Sequence, residues 1–127
     1  MLRGLRLLVV EDEFFIARDI GFLLRRAGAD VVGPLGRLTP ALSAARSELV
    51  DGAVLDLDLH GERVYPVADA LAARGVPFLF LSGFDDEAID SQYHHVPRLE
   101  KPFTPDQLIS AATVAFARRP MRGWPGG

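Results

Sequence analysis

Cysteine is absent from the 127-residue chain. That absence removes disulfide frameworks, thiol nucleophiles and cysteine-ligated zinc from the possible bases of its function. Long hydrophobic runs are missing as well. The apolar stretch after Met1 is far too short for a membrane span or the apolar core of a secretion signal, so the expected location is cytoplasmic. Basic residues are not in excess: 14 Lys and Arg stand against 17 Asp and Glu, a net charge of −3. Nucleic-acid binders usually present a basic face to phosphates, so no nucleic-acid partner is expected. A glycine-rich phosphate loop is also lacking after the first predicted strand, which argues against a small nucleotide-binding enzyme.

What the chain does have is 49% hydrophobic residues, enough to bury the core of one domain without a staple. Short apolar runs suited to buried parallel strands occupy residues 5–10, 53–55 and 77–81, with shorter candidates at 30–33 and 96–100. Between them come helical patterns. Ile16, Ile20, Leu23, Leu24 and Ala27 recur at helical steps before Gly28, and Val64, Val67, Ala68, Leu71 and Ala72 do so before Gly75; each glycine suits the end of a helix. Thr39–Pro40 and Thr104–Pro105 read as hydroxyl caps followed by proline at the first helical position, with Gln107 completing a capping box. The alternation of strand and helix predicts a doubly wound α/β fold with a parallel sheet. Residues 1–118 read as one domain, beginning naturally at Met1. Residues 119–127, with Arg119, Arg122, Trp124 and several Pro and Gly, read as a solvated tail.

In such a sheet, chemistry sits at the carboxyl ends of the strands. There the sequence delivers Glu11, Asp12 and Glu13 after the first strand, Asp56 after the third, Ser82 and Gly83 after the fourth, and Lys101 with Pro102 after the fifth. Each feature has an ordinary explanation: acidic residues at a helix start, an aspartate in a turn, a Ser-Gly turn, a common Lys-Pro pair. None of these predicts all four together on one edge in this order. Converging carboxylates repel one another, and a hard cation with oxygen ligands, magnesium, compensates them. Lys101 and Ser82 suit the oxygens of a transferring phosphoryl group, and a carboxylate is a competent nucleophile.

The strings Leu8, Val9, Val10, Glu11, Asp12, Glu13; then Val54, Leu55, Asp56, Leu57, Asp58, Leu59; then Phe80, Leu81, Ser82, Gly83; then Lys101, Pro102, Phe103 resemble the response-regulator receiver domain of two-component systems. The resemblance spans residues 5–118. It implies a flavodoxin-like sheet of five strands in the order 2-1-3-4-5 with five helices. The weak periodicity of residues 85–97 leaves room for the fourth helix to be short or irregular. It further implies Asp56 as phosphoacceptor, Ser82 as the switch hydroxyl and Lys101 as the phosphate contact. Mg2+ would be held by Glu11, Asp12, Asp56 and the backbone carbonyl of Asp58, with a less defined role for Glu13. Pro102 would follow a cis peptide bond. The expected function is a stand-alone phosphorelay switch, not a conventional enzyme, that takes a phosphoryl group from a histidine kinase or phosphotransferase and acts as a connector or phosphate sink. The alternative is an interaction module working without phosphorylation. Residues 80–84 and 57–61 look like single-domain receivers of alphaproteobacteria, including the group tied to general stress signalling.

One departure stands out. Where many receivers carry an aromatic residue, three positions before the lysine, this chain has Arg98, so the usual route by which the switch is read is in question. His94 and His95, adjacent on a loop, read as surface residues rather than metal ligands, and His60 reads as a loop residue near Asp56.

Overall fold

The computed structural model describes residues 2–83 and 89–117. Phe84, most of the first part of the 85–97 stretch, Arg118 and the proposed tail lie outside the described residues. The strands β1 (Arg6–Val10), β2 (Asp30–Leu35), β3 (Gly52–Asp56), β6 (Phe78–Ser82) and β7 (Arg98–Glu100) form one parallel sheet in the order β2-β1-β3-β6-β7. Because β6 and β7 are the fourth and fifth strands of that sheet, this is the expected 2-1-3-4-5 order. Two further strands, β4 (Asp58–Leu59) and β5 (Glu62–Arg63), make a separate antiparallel hairpin just after β3. That hairpin was not expected.

Successive side chains of a strand point to opposite faces, so each strand feeds two cores. Leu8, Val10, Leu55 and Phe80 pack on one face beneath helices α2 (Leu38–Ser47) and α3 (Tyr65–Ala73). Leu7, Val9, Val54, Leu79 and Leu81 pack on the other beneath α1 (Phe14–Arg26) and α4 (Pro105–Ala112), which continues as a π-helical turn over Thr113–Ala117. The central strands β3 and β6 are buried at every position, as continuous apolar runs predict for parallel strands covered on both faces. Each fully buried Leu, Val or Phe contributes about 1.5–3 kcal/mol.

Helix ends follow local chemistry where a side chain is available to supply it. After α1, the Gly28 N–H reaches Arg25 O at 2.9 Å and the Ala29 N–H reaches Leu24 O at 3.0 Å, the paired bonds of a Schellman stop. Thr104 caps α4 with the full reciprocal box to Gln107. The expected Thr39 cap is corrected: α2 starts at Leu38 after Arg37, with no side-chain cap, so Thr39 and Pro40 lie inside its first turn. Proline is tolerated there because the first four N–H groups of a helix have no intrahelical partner. Strand β2 runs past the expected end to Leu35 through a cis Gly33–Pro34 peptide. Gly33 has φ +100°, and a Cβ there would stand 2.8 Å from Val9 O, so only glycine fits where the register shifts against β1. The five expected helices reduce to four α-helices among the described residues. In the fourth position stands a 3-10 turn, Ser91–Tyr93, which matches the weak periodicity there.

Candidate phosphoacceptor site

Strand ends set the site. Glu11 extends β1 by one bond, its N–H reaching Leu35 O at 3.0 Å, and its side chain is completely buried. Oε2 of Glu11 accepts the Glu13 N–H at 3.0 Å. Glu13 turns away from the cluster: its carboxylate accepts the Phe15 N–H at 2.8 Å and serves as the N-cap of α1. The ordinary explanation therefore holds for that residue. Asp56 closes β3 with only 4% exposure. Its Oδ1 accepts the Asp58 N–H at 3.3 Å and its Oδ2 accepts Lys101 Nζ at 3.2 Å. Ser82, 2% exposed, ends β6, and its carbonyl accepts the Lys101 N–H at 2.8 Å, which carries Lys101 to the same edge. The Lys101–Pro102 peptide is cis, as expected.

Carboxylate oxygens of Glu11, Asp12 and Asp56 all lie within 4.8 Å of one another. One ammonium serves two of them: Lys101 Nζ is 2.7 Å from Glu11 Oε1 and 3.2 Å from Asp56 Oδ2. The contact to Glu11 is an ion pair without an aligned hydrogen bond, so the buried Oε1 keeps unused acceptor capacity. Three carboxylates against one lysine leave the cluster electron-rich. Burial, reinforced by a hydrogen bond to Glu11 and its charge, pushes Asp56 up from 3.8 to about 8, against the opposing pull of Lys101 and the Asp58 N–H. For Lys101 burial acts downward, yet contacts with Glu11 and Asp56 hold it above its ordinary value. For Asp12 burial acts upward, but the His60 N–H and neighbouring hydrogen bonds outweigh it and keep the carboxyl below its ordinary value. All-oxygen donors, an underused buried acceptor and a suppressed ionisation fit a hard divalent cation.

The sequence reading gave His60 only a loop role near Asp56 and did not single out Tyr93. The His60 N–H donates to Asp12 Oδ2 at 2.9 Å, so His60 belongs to the site through its peptide. The only signal was the glycine that follows it, a turn mark between two short strands. Tyr93 is 5% exposed, stacks on Tyr65 with ring centroids 5.3 Å apart and meets Phe80 edge-on at 5.7 Å. Arg98 is exposed on β7 and, with Ile89, Tyr93, His94 and Val96, lines a cavity of about 300 Å³. His94 Nε2 pairs with Ile89 O at 2.8 Å, a loop contact. Glu11, Asp12 and Asp56 are the one group among the described residues with metal-ligand spacing. No described helix is long and apolar enough to cross a membrane.

No protein-family model matches the chain. It is similar to SdrG from Sphingomonas melonis Fr1, with 38% identity and a TM-score of 0.77, covering 86% of this chain and 93% of SdrG. The receiver domain of the sensor histidine kinase PA1611 from Pseudomonas aeruginosa PAO1, which has a magnesium ion coordinated in its active-site cleft, shares the fold. Its TM-score is 0.76 at 24% identity, over 88% of this chain and 97% of that domain. The transcriptional regulatory protein PdtaR of Mycobacterium tuberculosis is 26% identical over 117 residues, 89% of this chain and 57% of PdtaR. The chain thus spans little more than half the length of that curated relative.

Proposed function

Because the chain belongs to the response-regulator receiver family of two-component signalling, we propose that it accepts a phosphoryl group on Asp56 from a phosphohistidine and serves as a connector or phosphate sink. The observation that supports this reading is the placement of Asp56: buried at the end of β3, within a carboxylate cluster and 3.2 Å from Lys101 Nζ. In the transfer, the P–N bond to the donor imidazole breaks as a P–O bond forms to an Asp56 carboxylate oxygen, and the leaving imidazole takes a proton. Lys101 neutralises charge on the phosphoryl oxygens, and Ser82 offers its hydroxyl to one of them. Glu11, Asp12, Asp56 and the Asp58 carbonyl would hold Mg2+, whose charge favours the ionised Asp56 and offsets charge on the transferred group.

The product is an acyl phosphate, open to water, so the same site lets the signal decay. The protein is in this reading a switch rather than a conventional enzyme. Ser82 would draw the end of β6 toward the phosphate and bias the surface that follows. A histidine kinase or phosphotransferase would dock beside the site. Phe14 and Phe15, 69% and 60% exposed, open α1 next to Glu13 and offer apolar surface for it.

The test is intact mass after incubation with a small phosphodonor or a phosphorylated kinase, with and without Mg2+. The wild type should gain one phosphoryl group in the presence of Mg2+, and Asp56→Asn none. Phe15→Asp should slow uptake from the protein donor and leave uptake from the small donor unchanged. A wild-type mass that never changes would leave the interaction-module reading in its place.

A further inference from the structure

The β4–β5 hairpin follows Asp56 closely in the chain and reaches Asp12, just after β1, through its tip. Its loop is two residues, His60 and Gly61, with φ of +50° and +85° and Leu59 paired with Glu62. Two consecutive positive φ values mark a type I′ turn, whose twist matches the strands it joins. Such a conformation is uncommon for residues other than glycine, histidine being among those that adopt it more readily, and it suits the following glycine. The hairpin is tied down at its base. Leu57 and Leu59 are buried in the core, and the Val64 N–H reaches Leu57 O at 2.9 Å.

At the tip, the turn aims the His60 N–H at Asp12 Oδ2, 2.9 Å away and 48 residues distant in the chain. The imidazole is not the gripping group. Its Nδ1 is 3.7 Å from the same oxygen and the side chain is 65% exposed. One carboxylate oxygen of Asp12 is therefore held by the hairpin, and the same carboxylate offers one oxygen within 4.8 Å of those of Glu11 and Asp56. Asp12 has 21% of its side chain exposed, so without this bond it would be free to rotate toward water.

We propose that the His60 peptide N–H, held by the type I′ turn, is a positioning group that fixes Asp12 for one-oxygen binding of Mg2+, and that the imidazole is dispensable for this task. The proposal rests on the cation reading given above. Hydrogen-bond partners behind a metal ligand orient it, and their loss costs about 10–100-fold in metal affinity.

Two measurements test it. In a Mg2+ titration followed by amide chemical shifts, Gly61→Val, which disfavours the positive φ, should bind about tenfold more weakly than wild type. His60→Gly, which keeps the N–H and favours the same φ, should bind within about twofold of wild type, because the partner behind Asp12 is retained. Equal affinity for Gly61→Val and wild type, or a large loss in His60→Gly, would overturn the proposal. If wild type itself binds no Mg2+, the cation reading fails instead. The second measurement needs no metal and no folded Gly61 variant. The His60 amide should exchange with solvent deuterium at least about tenfold faster in Asp12→Ala than in wild type, while the Val64 amide stays unchanged. Identical His60 exchange in the two proteins would show that Asp12 is not held by this bond.

Discussion

At the carboxyl edge of the sheet, Glu11 and Asp56 share a single lysine beside Asp12, whereas the described part of the connection between β6 and β7 is held by rings. There Tyr93 lies on Tyr65 with planes 16° apart, meets Phe80 at 88° and Phe78 at 66°, and the Asp90 N–H donates to Tyr65 Oη at 3.0 Å. The first region gathers like charges out of water and lowers the stability of the metal-free protein. The second is built from stacked and edge-on rings and gains from burial and aromatic geometry. Both adjoin β6: Ser82 ends it at the acidic edge, and Phe80, two residues earlier, opposes Arg98 on β7 and touches Tyr93. Substitutions in the two regions should therefore change stability in opposite directions.

The largest expected effect is in the aromatic region. Tyr93→Ala removes a buried ring from the company of three aromatic partners, Tyr65, Phe78 and Phe80, and should cost about 3 kcal/mol in chemical denaturation. Mg2+ affinity should stay as in wild type, because the ring touches no carboxylate of the cluster. A change below about 0.5 kcal/mol, the usual range of surface substitutions, would mean that the rings do not hold this connection.

A smaller change, of opposite sign, is expected at the acidic edge. Asp56 binds its proton more tightly in the folded protein, at about 8 against an ordinary 3.8. Its contribution to stability is therefore fully present below the unfolded value and is lost as pH rises through the folded one. Asp56→Asn should match wild type near the acidic end of that window. In metal-free buffer it should become more stable by on the order of 1–2 kcal/mol as pH rises to about 8 and beyond, less than the full shift because the remaining groups relax. Saturating Mg2+ should shrink the difference, since the cation stabilises the ionised wild type and binds the variant less well. Melting temperatures across pH, with chelator and with Mg2+, read this directly; a variant less stable than wild type at high pH would refute the account of the edge.

The finest adjustment is Tyr65→Phe. It keeps the stack and deletes one hydrogen bond to the Asp90 N–H, an expected loss of about 1 kcal/mol. A loss as large as that of Tyr93→Ala would assign the connection's stability to the hydrogen bond rather than to the rings.

Much of the fold was legible because its causes are local. Alternating buried runs announced the strands, Gly28 and Gly75 announced helix ends, and Thr104 with Gln107 announced a cap that forms as written. Thr39 did not cap its helix, since a hydroxyl before proline specifies a start only when no earlier residue is already helical, and Leu38 is. The convergence of Glu11, Asp12, Asp56 and Lys101 was legible for a topological reason. Parallel strands joined by crossover helices all end on one edge, so residues that follow successive strands become neighbours.

The sequence by itself determined which residue types arrive at that edge and in which order, because strand periodicity and handed crossovers need only local pattern. Only the tertiary structure decided how they divide the work. Glu13 is taken by a helix cap, Glu11 is sealed with one oxygen underused, Asp12 is held by a peptide 48 residues away, and Tyr93 closes the aromatic stack where Arg98 leaves the strand edge exposed. The Glu13 cap is local, but the other outcomes depend on distances between segments far apart in the chain, and no local periodicity encodes such distances.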